Sequence, residues 1–137
     1  MALPKEKFEE IKSKIQKFID HEMVAHESDL SFNHKFADHL SFLEEKRNMV
    51  RDMGLFAPQI PKEHGGLGLS LHQLGQIYEV LGKTFYGLYV FNCQAPDAGN
   101  MEILIEHGTD YQKETFLKPL VEGKVRSCFS MTEPEFA

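Results

Sequence analysis

Apart from a Pro- and Gly-rich loop at Leu55 to Gly68, the segments of this chain up to Gly123 read as helices from their apolar spacing, and only beyond it does the pattern switch to alternation by two. That constraint leaves few folds. It predicts an all-α chain of about six helices, followed by one strand from Val125 to Thr132. A strand needs partners, and no other segment reads as one, so the sheet it belongs to is expected outside this chain.

Phe8, Ile11, Ile15, Phe18, Ile19 and Met23 stripe a first helix, about Pro4 to His26. Pro4 suits its first turn, where a missing N–H costs nothing. Phe36, Leu40, Leu43, Val50 and Met53 stripe a second, about Asn33 to Met53, with Asn33 as N-cap and Gly54 as the left-handed stop. Leu55 to Gly68 carries two prolines and three glycines and reads as an ordered loop. Ser70 and Gln73 make a capping box that opens a third helix, ended by Gly82. Thr84 caps a fourth segment, Phe85 to Cys93, which is apolar nearly all round and so expected to be buried. Ala95-Pro96 breaks the chain, and Asp97 caps a fifth helix closed by Gly108. Thr109 and Gln112 open a short sixth, to about Phe116.

With 137 residues the chain fits one domain and can bury about two-thirds of its unfolded surface. Fifteen basic against 21 acidic residues, net −6, argue against nucleic acid as a partner. Cys93 and Cys128 lack the spacing of a zinc site or a thioredoxin-type motif and fit a reducing compartment. No apolar run approaches the length of a membrane span, and Met1 to Glu10 reads as neither signal nor transit peptide.

The candidate chemistry is sparse. His21/His26 and His34/His39 are five residues apart, which on a helix puts them about 140° apart, so no metal site is expected. Gly65-Gly66-Leu67-Gly68 follows no strand and lacks a third spaced glycine, so it reads as a tight turn rather than a phosphate loop. Ser127 and Ser130 have no nucleophile-elbow context, and Cys128 in an apolar strand is expected to be an inert buried thiol. Glu9-Glu10 and Glu44-Glu45 fit solvated helix faces. The stretch Phe85 to Phe91 is core, or else one wall of an apolar ligand pocket.

The order of three blocks adds what the separate pieces lack. Gly54-Leu55-Phe56 with Ile60 to Gly68, then His107 to Leu117 with Pro119 to Gly123, then Arg126 to Pro134 resemble, in order and spacing, the N-terminal helical domain of the acyl-CoA dehydrogenases. The block Asn92 to Glu102 is similar to the branch represented by family members ten and eleven. The resemblance implies residues 1–123 as the N-terminal helical domain and 124–137 as the start of a middle β-domain.

It also implies FAD as cofactor and α,β-dehydrogenation of an acyl-CoA thioester in fatty-acid oxidation. An electron-transfer flavoprotein would be the acceptor, the full-length enzyme a homo-oligomer, and the location the mitochondrial or peroxisomal matrix. Phe129, Met131 and Thr132 match positions that lie against the isoalloxazine through main-chain contacts and the threonine hydroxyl. Helices around Leu88 to Leu104 would wall the acyl pocket. No glutamate here matches the family's catalytic base, which belongs to a C-terminal domain beyond this chain. The polypeptide alone is therefore expected to be inactive and to bind FAD poorly. The alternative is a stand-alone helical module that binds an acyl ligand or a partner protein without redox work.

Overall fold

The computed structural model describes residues 2–30 and 35–135. Its helices are α1 (Lys5–Phe18), α2 (Phe36–Asp52), α3 (Leu71–Leu81), α4 (Gly87–Val90), α5 (Asp97–His107), α6 (Asp110–Gln112) and α7 (Lys118–Val121). A π-helical turn, Ile19–Met23, extends α1, and another, Lys113–Leu117, joins α6 to α7 in one continuous run. The architecture is all-helical, as the apolar periodicity predicts.

The first helix follows its stripe closely. Phe8, Ile15 and Phe18 point inward, and the stripe continues through the π turn, where Ile19 and Met23 are fully buried. α1 packs on α3, and α2 on α4. Gln73 ties two elements at once. Its side chain exchanges hydrogen bonds with the Leu3 backbone, accepting from N at 3.1 Å and donating to O at 2.8 Å, and it closes the Ser70 capping box.

Two apolar clusters result. The larger unites α1 to α4 around Ile15, Ile19, Leu43, Val50, Ile77, Leu81 and Phe91. The smaller joins Ala57 and Ile60 to Met101, Leu117, Leu120 and Val121. Phe56 packs against both.

Local signals hold where their partners are local. Gly54 is left-handed at φ +69°, Gly82 ends α3, and both capping boxes form. Others differ. The N-cap expected at Asn33 lies outside the described residues, and α2 starts with the Asp38 carboxylate accepting from Lys35 N at 3.0 Å. Thr84 does not cap α4; its hydroxyl donates to Glu27 at 2.6 Å instead. α4 is one turn long, with Val90 and Phe91 buried but Phe85 and Leu88 partly in solvent. The sixth helix continues five residues past Phe116, because Leu117, Leu120 and Val121 supply a core-facing stripe across the π turn.

The period-two segment is also corrected. No strand forms from Val125 to Thr132, and none elsewhere among the described residues, since a strand is defined by a ladder and this one has no partner. Its alternation buries no face: Phe129 and Met131 are exposed.

Two glycines give opposite tests of this packing. A Cβ on Gly66 would sit 2.0 Å from the Ile60 carbonyl oxygen, whereas one on Gly75, mid-helix in α3, would meet nothing within 4 Å. Gly66→Ala should destabilise by about 2 kcal/mol or more. Gly75→Ala should stabilise by about 0.5–1 kcal/mol, both read from urea midpoints.

Candidate functional site

A network around Arg47 and Asn92 underlies the site. Arg47 of α2 is buried at 1% exposure, with its guanidinium 4.9 Å from the Phe56 ring centroid and 4.6 Å from that of Tyr89. It donates to the Tyr89 carbonyl and, at 3.4 Å, to the Asn92 side-chain oxygen. Glu44 Oε1 stands 3.2 Å from Arg47 Nε and accepts from the Tyr89 hydroxyl at 3.1 Å. Burial pulls the Arg47 pKa down, and the neighbouring Tyr89 and Glu44 act against that shift. Asn92 is fully buried at φ +58°, a conformation asparagine tolerates better than most residues. Its amide donates to the Leu120 and Val121 carbonyls at 3.0 and 3.1 Å, satisfying the end of α7.

Asp97 stands five residues beyond Asn92. It is fully buried and is the first residue of α5, not its N-cap. Its carboxylate faces away from its own helix start. Oδ1 accepts from the Ser127 amide at 2.7 Å and the Ser127 hydroxyl at 2.6 Å; Oδ2 accepts from Arg126 Nε at 3.0 Å and Gln94 at 2.5 Å. One turn on, Asn100 donates to Ser127 Oγ at 2.8 Å and to the Cys128 carbonyl at 3.2 Å. The Arg126 guanidinium lies 5.0 Å from the Tyr89 ring centroid.

Beyond this anchor the chain runs out as an exposed segment. Phe129 is 55% and Met131 73% exposed, and Thr132 is exposed as well. Among the described residues, 129–132 make no backbone–backbone hydrogen bond. The three predicted cofactor contacts thus share one segment, with main-chain donors and the Thr132 hydroxyl available.

Alongside the anchor, an apolar cleft of about 380 Å³ opens between α5, the α6–α7 run and residues 125–128. Ile103, Leu104, Phe116 and Val125 line it, with Cys128 at its edge. The other half of the predicted pocket wall goes elsewhere: Phe91 packs edge-on against Phe18, 5.6 Å between centroids. A wider groove of about 1100 Å³ carries both signs of charge, and Lys118 and Lys124 pair with Glu114 and Glu122 at 2.6 and 2.7 Å. Among the described residues no three His, Cys, Asp or Glu side chains gather as a metal site. Gly65 to Gly68 wraps the Ile60 carbonyl, which accepts from Gly68 N at 3.0 Å, so this turn is a packing element.

Sequence reasoning misses Arg47, Asn92, Asn100 and the true partners of Asp97. An Asp at a helix start is a strong local cap signal, and it hides a carboxylate whose partners lie 30 residues away.

An all-helical domain that presents an extended, anchored segment beside an apolar cleft is the architecture shared with a known class. The family model for the acyl-CoA dehydrogenase N-terminal domain matches residues 5–124. The chain belongs to the acyl-CoA dehydrogenase family. Among its relatives, mouse acyl-CoA dehydrogenase family member 10 is 38% identical over 128 residues, covering 88% of this chain and 12% of the relative. Chicken acyl-CoA dehydrogenase family member 11 is 46% identical over 95 residues, covering 69% and 12%. A solved structure from Mycobacterium abscessus, described as that of an acyl-CoA dehydrogenase, superposes with TM-score 0.78 at 33% identity over 98% of this chain and 36% of that one. This chain therefore spans about an eighth of these curated relatives and about a third of the solved chain.

The two thiols should behave differently. Burial pushes the Cys93 pKa up, while Cys128, expected to be buried, is exposed. Brief alkylation of the native protein, mapped by mass spectrometry, should label Cys128 and spare Cys93. Because the folded Cys93 pKa is raised, its contribution to stability is intact below the unfolded thiol value and fades as pH rises above about 8.5. Cys93→Ser should flatten that alkaline decline in the urea midpoint.

Proposed function

We propose that this chain forms the N-terminal wall of an FAD-dependent acyl-CoA dehydrogenase acting on acyl-CoA thioesters in fatty-acid oxidation. The observation that carries the reading is the exposed segment at Phe129, Met131 and Thr132, free of backbone pairing and fastened to a domain of this family. We place the boundary between the helical domain and the following β-domain at residues 123/124, supported by a family match that ends at residue 124.

The residues present fit one side of a flavin. Unpaired amides and a hydroxyl can hydrogen-bond ring heteroatoms, and Phe129 and Met131 offer apolar contact. When bound, FAD supplies an acceptor for the β hydride. This chain's share is to bind and orient: Thr132 donates a hydroxyl to the ring, and the cleft at Ile103, Leu104 and Phe116 excludes water beside it. The base that takes the α proton is assigned to a part of the enzyme outside these residues. Electron transfer to a partner flavoprotein, homo-oligomeric assembly and a mitochondrial or peroxisomal location complete the proposal.

A second reading keeps the cleft and drops the redox role, making the chain an acyl-ligand module; the 380 Å³ cleft favours it. Thr132→Ala in the full-length protein separates the two. Substrate-driven bleaching of the flavin should slow by roughly tenfold to a hundredfold. An unchanged rate removes the assigned contact, and a full-length protein that takes up no FAD removes the redox reading.

A further inference from the structure

The flavin-facing segment has no ladder to hold it, yet its first residues are fixed at four atoms by five contacts. All five contacts trace to two side chains one turn apart on α5. Asp97 accepts from Ser127 N, Ser127 Oγ and Arg126 Nε, and Asn100 donates to Ser127 Oγ and Cys128 O. We propose that Asp97 and Asn100 form a clamp that positions the cofactor-contacting segment, acting through Ser127. They are positioning residues and touch neither cofactor nor substrate.

Geometry and chemistry carry this inference, which rests on the flavin reading above. Asp97 is fully buried, and its two carboxylate oxygens accept four hydrogen bonds. A buried carboxylate with that many charge-assisted bonds is held tightly and holds its partners tightly. The pair also fixes register. Ser127 points into the clamp, so Phe129, two residues on, is directed from a fixed start and Met131 follows. Arg126 adds a second constraint, since its guanidinium bonds Asp97 while lying over the Tyr89 ring. Tyr89 is itself held by Arg47 and Glu44. Main-chain hydrogen bonds to a cofactor demand placement to within a fraction of an ångström, and misplacement by about 1 Å costs about a hundredfold.

The clamp differs from an ordinary helix cap in its direction. A cap satisfies amides of its own helix, so its loss frays that helix; this carboxylate satisfies a segment 30 residues downstream. Loss of the clamp should therefore free residues 126–132 and leave α5 in place. Asp97→Asn keeps the shape but turns one acceptor into a donor, which opposes either the two Ser127 donors at the Oδ1 position or Arg126 and Gln94 at the Oδ2 position.

The test uses the full-length protein, with Asp97→Asn, Asn100→Ala and Ser127→Ala beside wild type and Thr132→Ala. Three readouts are followed: amide hydrogen exchange of peptides covering 126–132 and 97–107, the flavin absorbance spectrum, and the rate of substrate-driven bleaching. Expected for Asp97→Asn is at least tenfold faster exchange in 126–132, unchanged exchange in 97–107, a shifted flavin band and bleaching slowed by about tenfold or more. Ser127→Ala and Asn100→Ala should show the same pattern more weakly, and they decide the matter if Asp97→Asn does not fold. Unchanged exchange in 126–132 in the folded variants overturns the clamp. Wild-type flavin spectra and bleaching across all three variants, with Thr132→Ala impaired, overturn it as a positioning device while the flavin reading stands. If Thr132→Ala is also silent, the flavin reading itself falls.

Discussion

Everything in this domain is arranged around one desolvated cation. Removing Arg47 from water is costly, and the cost is met by two aromatic faces, the Tyr89 carbonyl, the Asn92 side chain and a half-exposed Glu44. Those partners come from the loop after α2, from α4 and from the turn after it. A planar guanidinium satisfies several directions at once, which an ammonium could not do. Because Asn92 also holds the last carbonyls of α7, and Arg51 of α2 donates to the Glu122 carbonyl just beyond, the end of the smaller core is fastened to α2.

The same arrangement reaches the anchored segment in two steps. Tyr89 offers its ring to both Arg47 and Arg126, and Arg126 bonds Asp97. The exposed residues 129–132 are therefore not a loose end of the fold. They extend from a buried polar network that shares its central aromatic residue with the most buried cation in the molecule.

Much of the helical scaffold is legible in the sequence because its signals are short-range. Ser70 with Gln73, Thr109 with Gln112, and the left-handed Gly54 each need only residues within one turn. The failures share a cause as well. Alternation from Val125 to Met131 is a local property, but strand formation is a relation between segments, and no partner is present among the described residues. The α6–α7 run is longer than its period suggests because a π turn shifts the register, and Pro119 falls at that shift, where a missing N–H does least harm. Asp97 is misread because a start-of-helix carboxylate looks the same in sequence whether it turns back or reaches across. The proposal that Phe129, Met131 and Thr132 meet a flavin rests on family resemblance, since nothing in their spacing alone marks a cofactor.

Two apolar cores that share Phe56 have a thermodynamic consequence. A single core opens all at once, whereas two cores bridged by one ring and a few polar contacts can part in stages. The smaller one holds α5, α7 and the loop at Ala57 and Ile60, and it is the one that carries the anchored segment. With fewer buried apolar side chains, the smaller core is expected to be the easier of the two to open. The anchored segment rests on that smaller core and touches the larger one at Tyr89, so its opening should follow the smaller core while α1 to α3 stay closed.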